Sequence, residues 1–594
     1  MKKTTKIISM ILSLVLAATL FGCTAEKSST QNTTVTASKT SETSLLSGEL
    51  LEDPEDSSKE ATGDFRITGG SVEANGSVYK ITSGGEYTLT GLLKDGQIVI
   101  EAGEDDEVEL LLDNASIGCS DNSPILVVSA GEVHVKSEDA TYNVVCDNRT
   151  GNVSDDEDAY NAAIYSNCDL HVNGSGTLIV KSTYDNGIKS KDDLEIKNVT
   201  LKVNTPGVAL KGNDSVSIES GRLMIISTQG DGIKTSDSDI SSKSNQRGTV
   251  SIVGGQVDIY AAGDGISAAY NAEISQGEEA TAVNIFTGSK SSYTSDQPDS
   301  TKGVKASNEI IISGGVINVN SADDGLHANA NVELDNGSTS LGNITISGGT
   351  LTLECEDDAV HADGEVTISD GTVNVKDSHE GIEGNVINIS GGTTYVYGED
   401  DALNASKGNS TALINITGGY LEVETPQGDT DAIDSNGSIT MSGGFVLVKG
   451  GAQMGGMAGS VDADGTVSVT GGTMIALGGV ASTPANGSVA TYITSSGTLK
   501  AGEYTLKDSS GNEIAAFTLD GSYSFGWIAS EKMTVGETYT LLCDGSEVLT
   551  WTQSSLIEGS AGNMGMGGMS APGGRMQGGP GGNMMGGPGS SQSM

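Results

Sequence analysis

Short alternations of aliphatic and polar residues recur along most of this chain, each opened by a phrase of the type Ile-Ser-Gly-Gly and each too short for a helix. Copies read Ile252-Val253-Gly254-Gly255-Gln256-Val257, Ile312-Ser313-Gly314-Gly315, Ile346-Ser347-Gly348-Gly349, Ile389-Ser390-Gly391-Gly392 and Val469-Thr470-Gly471-Gly472. The nearest copies fall at Gly348, Asp370 and Gly391, and the wider gaps elsewhere read as the same unit carrying loop insertions of variable size. A short recurring period of this kind predicts a solenoid. Within a unit, alternations such as Ile416 with Leu421 and Val423 are bounded by Gly, Asn and Asp, so the unit is built of strands and turns. Helical and Leu-rich repeat consensuses are missing, and the calcium-binding nonapeptide repeat is too short. The expected fold is therefore all-β: a single-stranded parallel β-helix of about 22 residues per coil, running from roughly position 80 to roughly position 480. Equivalent residues of successive coils would form ladders about 4.8 Å apart.

A second phrase runs in step with the first. It reads Asp185-Asn186-Gly187-Ile188-Lys189, Gly230-Asp231-Gly232-Ile233-Lys234, Gly263-Asp264-Gly265-Ile266-Ser267, Thr301-Lys302-Gly303-Val304-Lys305 and Asp323-Asp324-Gly325-Leu326-His327. Later copies are Asp357-Asp358-Ala359-Val360-His361, His379-Glu380-Gly381-Ile382-Glu383, Asp400-Asp401-Ala402-Leu403-Asn404 and Thr430-Asp431-Ala432-Ile433-Asp434. Gly or Ala in third place implies a crowded backbone, and the aliphatic that follows must enter the core, so Ile382, Leu403 and Ile433 are expected inside with Leu421 and Val446. The next residue then faces outward. Down the chain that position reads Lys189, Lys234, Ser267, Lys305, His327, His361, Glu383, Asn404, Asp434, a drift from basic to acidic.

Acids stacked at one coil's spacing repel by about 1 kcal/mol per neighbouring pair in water. Calcium bridging adjacent coils would remove that cost, with oxygens drawn from Asp323, Asp324, Asp357, Asp358, Glu380, Glu383, Asp400, Asp401, Asn404, Asp431 and Asp434. The other reading is that these residues make Asx-turns, bonding backbone a little further along the chain, which suits Asp185, Asp231 and Asp264 better than metal does.

The formal net charge of −48 makes nucleic acid an unsuitable partner. Such an excess serves solvation, or neutralisation by divalent cations. Lys2, Lys3 and Lys6 precede an uncharged apolar run from Ile7 to Leu20 and the box Leu20-Phe21-Gly22-Cys23, which resembles a bacterial lipoprotein signal over 1–22 with Cys23 as the acylated residue. Export and lipid anchoring at the bacterial cell surface are expected. Residues 23–62 read as a flexible tether, 63–482 as the β-helix with an N-terminal cap up to about 118, and 483–558 as a small antiparallel module holding Trp527 and Trp551. Residues 559–594 are a Gly/Met-rich tail without apolar period, expected to be disordered, where thioethers could bind copper(I). Cys146 and Cys168 are separated by one coil's length of chain, so they could face each other as a disulfide or as two small buried hydrophobes.

The phrases Asp185-Asn186-Gly187-Ile188-Lys189-Ser190-Lys191-Asp192-Asp193-Leu194 and Asn161-Ala162-Ala163-Ile164-Tyr165-Ser166-Asn167-Cys168-Asp169-Leu170 resemble those of clostridial-type cell-surface β-helix proteins described as carbohydrate-binding. Over roughly 63–480 the resemblance implies a right-handed parallel β-helix similar to pectate lyases, calcium on the coils, and binding of cellulose and polygalacturonate-like acidic glycans.

Residue chemistry supports several ligand contacts. Tyr420 and Phe445 each directly follow the paired glycines, with Tyr395 and Tyr397 outward one coil earlier, so sugar rings could stack there; packing between outer faces is the alternative. An acidic polymer would need bridging calcium or the cations Lys189, Lys234, Lys305, His327 and His361. The expected function is a monomeric, lipid-anchored, non-catalytic polysaccharide-binding protein with Ca2+ as cofactor. One alternative is a calcium-dependent pectate-like lyase, for which only Lys305, one coil before Asp323, is positioned as base. The other is a structural surface adhesin. No nucleophile triad, P-loop or dinucleotide motif is present.

Overall fold

In the computed structural model, the structure describes residues 50–560, apart from 154–158, 294–297, 299, 407–411, 427, 429, 451–458, 481 and 495–496. The lipidation residue Cys23, the leader and the Gly/Met-rich tail beyond 560 lie outside the described residues. Within them the protein is all-β: helix is limited to single turns at Ser57–Lys59 and Gly288–Lys290, and most strands belong to one 42-stranded, largely parallel sheet.

Three parallel ladders organise that sheet. Three successive strands make one rung, and each strand pairs with its equivalents one rung before and one rung after. In the first ladder Asn186–Ser190 pairs with Ala162–Ser166 on one side and Leu210–Gly212 on the other. In the second, Asp193–Lys197 lies between Asp169–Gly174 and Ser215–Ile218. In the third, Val199–Thr205 lies between Thr177–Ser182 and Gly221–Ser227. The register advances in short, nearly equal steps from Val360 to Ile382 to Leu403, and an insertion stretches the step from Ile266 to Val304.

The paired glycines explain the strand phrase. The second glycine sits at positive φ rung after rung, +83° at Gly349, +89° at Gly371 and +73° at Gly392. A Cβ at Gly349 would meet Gly315 O at 2.7 Å, and one at Gly371 would meet Gly349 O at 2.8 Å. Side chains are thus excluded twice, by backbone conformation and by the rung beneath.

The aliphatic positions fill one continuous core. Ile382, Leu403, Ile433 and Val446 are fully buried, and Leu421 is 1% exposed, as the alternation predicts. At the C-terminal end Tyr523–Ser530 pairs antiparallel to Val467–Leu477, and its Trp527 enters the same core while donating Nε1–H to Ser482 O at 3.1 Å. A four-stranded antiparallel sheet of Glu513–Leu519, Gly502–Asp508, Thr538–Cys543 and Ser546–Thr552 completes this end.

Three expectations need correction. Parallel pairing begins at Val78 with Gln97, well before 118, so antiparallel capping strands are confined to Arg66–Gly69 and Val72–Asn75. That stretch carries Gly69-Gly70 and Gly84-Gly85 but no copy of the Asp-Asp-Gly-Ile turn phrase, which hid its rungs. Residues 50–62 are not a free tether but a strap across the third ladder. Leu51 N–H donates to Asp258 at 2.6 Å, Lys202 binds Asp53 at 2.8 Å and Glu55 at 2.8 Å, and Lys181 binds Glu55 at 2.6 Å. Asp56 N–H donates to Tyr142 Oη at 2.7 Å and Ala61 N–H to Ser116 Oγ at 3.0 Å. The strap is held by polar contacts, so no apolar period announced it. Finally, Cys146 and Cys168 are free thiols. Cys146 stacks between Gly118 and Lys181 in the third ladder, whereas Cys168 precedes a second-ladder strand, because an insertion lengthens this rung and shifts the two thiols out of register.

Candidate functional site

The turn phrase lays the residue after each core aliphatic into a single register along the first ladder. Tyr165 lies beside Lys189, Lys189 beside Lys211, and the row continues through Lys234, Ser267, Lys305, His327, His361, Glu383, Asn404 and Asp434. The order read from the sequence is therefore kept, with two additions. Lys211 escaped because its phrase, Gly207-Val208-Ala209-Leu210-Lys211, has no acids; its place one standard repeat after Lys189 was the available signal. Tyr165 follows Ile164 as Lys189 follows Ile188, and that correspondence could have placed it.

The acids of the phrase act as staples between rungs. Asp231 Oδ1 accepts the backbone N–H of Asp264 at 3.0 Å, and Asp264 Oδ1 accepts that of Lys302 at 2.9 Å. Asp324 serves Asp358 at 3.1 Å, Asp401 serves Asp431 at 3.2 Å, and Asp431 serves Gly459 at 2.6 Å. This replaces the Asx-turn expected of Asp231 and Asp264: the N–H satisfied belongs to the next rung. Asp185 instead accepts the side-chain amides of Asn161 and Asn186 at 2.6 and 2.9 Å.

Cations of the protein neutralise the first part of the acid row. Lys189 donates to Asn161 Oδ1 at 3.0 Å and Lys234 to Asp231 at 2.7 Å, while Lys305 lies 3.8 Å from Asp264 and 3.4 Å from Ser300 Oγ. Lys302 bonds Asp323 at 2.9 Å and Asp324 at 2.6 Å, filling the place where the sequence suggested a metal. His327 Nδ1 lies 2.6 Å from Asp324 and its Nε2 3.1 Å from Asn329 Oδ1. Burial opposes ionisation of Asp324, but its bonds to His327 and Lys302 prevail and hold the carboxyl down at about 2. His361 Nδ1 stands 2.7 Å from Asp358 and 2.8 Å from Glu383. Burial works against the imidazolium, yet those carboxylates raise His361 to about 11, and the same contact keeps Glu383 below its ordinary range. Asp358 is raised by burial, and Asp357, exposed beside it, is raised by burial and by Asp324 and Asp323.

Beyond His361 the balance changes. Burial, with the charges of Asp358, Glu383 and Asp400 nearby, pushes Glu380 up to about 7 although it accepts the Asn404 amide at 2.8 Å. Burial and Asp434 push Asp401 up to about 8. Asp434 is raised by burial and by Asp462 and Asp464, while Asp400 is exposed. Among the described residues, neither Glu380, Asp401 nor Asp434 has a cationic side-chain partner. Their oxygens, with the Asn404 carbonyl, are hard donors of the kind a calcium ion accepts.

The aromatic residues stand on the third ladder, separated from this row by the acidic turn at 398–401. Tyr420 pairs in register with Phe445, with parallel rings 5.5 Å apart, and Tyr395 tilts onto Tyr420 at 5.6 Å. Tyr395 is 36% exposed, whereas Tyr420 is half-buried and donates its hydroxyl to Glu422 at 2.7 Å. Tyr397, also half-buried, follows on the same strand as Tyr395. Phe445 departs from the expectation of an open stacking face. It packs against a cluster formed by Leu447, Ile475 and the C-terminal residues Phe525 and Ile528, because the antiparallel strands fold over the last rungs.

A family model described as a carbohydrate-binding domain-containing protein matches residues 75–343 and 339–381, more than half of the 594-residue chain. The chain belongs to this carbohydrate-binding domain family. It is similar to a carbohydrate-binding domain-containing protein of Acetivibrio thermocellus, 37% identical over 126 residues that make up 21% of this chain and 44% of the relative. The chain thus spans less than half the length of that curated relative. Among solved structures it is similar to a polysaccharide lyase-like protein from C. thermocellum studied as a gadolinium derivative, at 20% identity, covering 54% of this chain and 86% of that one with a TM-score of 0.23.

For a carbohydrate-binding domain protein, the row offers two chemically different ends. Lys189, Lys211 and Lys234 stand on consecutive rungs, but Lys189, expected outward, is buried at 6% exposed beneath Asn161, whereas Lys211 and Lys234 are half-buried and Lys211 has no hydrogen-bonded partner among the described residues. Burial and the neighbouring Lys234 lower its pKa, the signature of a cation held without its own counter-ion. The other end presents carboxylates without cations.

Proposed function

We propose that this protein binds acidic polysaccharide along the first ladder without cleaving it. The observation that carries the reading is the unbroken register from Lys189 through Lys211 and Lys234 to His361, Glu383, Asn404 and Asp434, which passes from a cationic end, through the His361–Glu383 pair, to an end where Asp434 has no cationic side-chain partner among the described residues. Uronate carboxylates meet Lys211 and Lys234 directly. At the other end calcium, held by Glu380, Asp401, Asn404 and Asp434, bridges protein and polymer carboxylates. The exposed face of Tyr395 and the edge of Tyr420 supply stacking for a neutral chain such as cellulose. Three ladders in step suit a single right-handed parallel β-helix, a rod whose faces run the length of a bound polymer. In this reading the leader exports the chain and Cys23 anchors it, as a monomer, to the membrane at the cell surface.

The lyase alternative needs a base beside the metal. Lys305 is separated in the row from Glu383 by His327 and His361, and its nearest carboxylate is Asp264. That separation favours binding over cleavage. The test is retention of polygalacturonate and cellulose by the protein with calcium and with chelator, while ultraviolet absorbance follows unsaturated uronate. Retention without an absorbance rise supports the reading; an absorbance rise that Lys305→Ala removes establishes the lyase.

A further inference from the structure

The second ladder brings together two histidines that the polysaccharide row does not use. His134 and His171 are register partners on neighbouring rungs, with stacked rings 4.4 Å apart and planes 11° from parallel. Both Nε2 atoms face one carboxylate. His134 Nε2 lies 3.7 Å from Glu132 Oε1, and His171 Nε2 lies 3.9 Å from Glu132 Oε2. Glu107 approaches the same His134 nitrogen at 3.7 Å. These gaps are too long for hydrogen bonds. They are close to the separation of two donors on one tetrahedral ion, since arms of about 2.0–2.1 Å put neighbouring ligands about 3.3 Å apart, and a turn of one imidazole about Cβ–Cγ out of the parallel stack aims both lone pairs at a shared ion.

The opposite ring nitrogens have partners suited to ligating imidazoles. His171 Nδ1 faces Glu195 at 3.5 Å, and His134 Nδ1 faces the side-chain amide of Asn173 at 3.3 Å. The Glu195 carboxylate keeps the proton of His171 on Nδ1 and leaves its Nε2 free to coordinate; Asn173 does the same for His134 when its amide is turned to present Oδ1 in place of Nδ2. The two imidazoles are 21% and 22% exposed, which leaves an approach from solvent for the ion and for a water ligand. The stacked pair His327–His361 has similar spacing but different chemistry. There both Nδ1 atoms are bonded to Asp324 and Asp358, and His361 is held protonated between Asp358 and Glu383, so it has no lone pair to give.

We propose that Glu132, His134 and His171 form a site for a transition-metal ion of the zinc type, with Glu107 or water completing a tetrahedron. Two imidazoles and one carboxylate suit Zn2+, Co2+, Ni2+ or Cu2+ and not Ca2+. The site is therefore chemically distinct from the acidic end of the polysaccharide row.

The experiment is titration of the metal-free full chain with Co2+ and then Zn2+, in millimolar calcium, followed by visible absorption and calorimetry. One equivalent of Co2+ should give tetrahedral absorption that Zn2+ abolishes, with micromolar affinity. His134→Gln with His171→Gln should remove that equivalent, and Glu132→Gln should weaken it by about tenfold. Glu132 is 43% exposed, so its variant tests ligation without threatening the fold. His327→Gln with His361→Gln should leave the equivalent intact. Absence of tetrahedral absorption in the parent, or its persistence in the His134/His171 double variant, overturns the proposal.

Discussion

His361 stacks on His327 with ring centroids 4.6 Å apart and planes only 7° from parallel, and the charge of the whole outward row changes sign at this pair. Before it the phrase acids meet Lys234, Lys302 and His327; after it Glu380, Asp401 and Asp434 meet no cationic side chain among the described residues. His361 is the last internal counter-ion of the row, serving both Asp358 and Glu383.

That role fixes a pH dependence. The His361 value of about 11 lies above the ordinary 6.5, so its stabilisation is complete below about pH 6.5 and is lost as pH rises toward 11. His361→Gln should lower Tm at neutral pH and flatten the alkaline fall of Tm. Parallel Tm–pH curves for parent and variant would show that the imidazolium contributes nothing.

Asp401 is a carboxyl and not an imidazole, yet its effect on stability has the same sign. Its pKa is raised from 3.8 to about 8, so ionisation costs stability progressively as pH rises through that range. Asp401→Asn should therefore raise Tm at about pH 8 in chelator and have little effect near pH 4. Thermal melts across pH measure both.

Calcium should reverse that penalty in the parent. An ion bound only by the folded state contributes about 2.7 kcal/mol at a hundredfold excess over Kd. Because the ion competes with protons, the calcium-induced rise in Tm should be larger at about pH 8 than at about pH 5 and should vanish in Asp401→Asn with Asp434→Asn. An equal rise in parent and variant would move calcium away from these residues.

Leu403 tests the core assignment. It is fully buried and stacks between Ile382 and Ile433. Leu403→Asp leaves an unpaired buried charge and should cost on the order of 4 kcal/mol, read from denaturant unfolding.

The fold was legible because the strand phrase carries its own cause. Gly349, Gly371 and Gly392 recur since no side chain fits between their backbone and the rung below, and the aliphatic after each turn marks the core. Site residues were legible where they obeyed the phrase, as Lys189 and His361 do. The compensation of charge was not. Lys302 reaches Asp323 and Asp324 from the previous rung, a contact set by side-chain reach and not by spacing. The covering of Phe445 and the docking of 50–62 were hidden for a related reason: both depend on where a segment without repeat character folds back. His134 and His171 carried a weak signal, one imidazole on each of two neighbouring rungs, obscured by the insertion between them.

The most direct measurement of the central claim is retention of polygalacturonate in calcium by the parent and by Lys211→Ala/Lys234→Ala, at low and at moderate salt. At low salt the double variant should bind about tenfold more weakly, since each lost charge contact is worth up to about 1 kcal/mol, and its affinity should fall less steeply with salt than the parent's. Equal affinity and equal salt dependence in the two proteins would contradict the account and remove the first ladder from the binding surface.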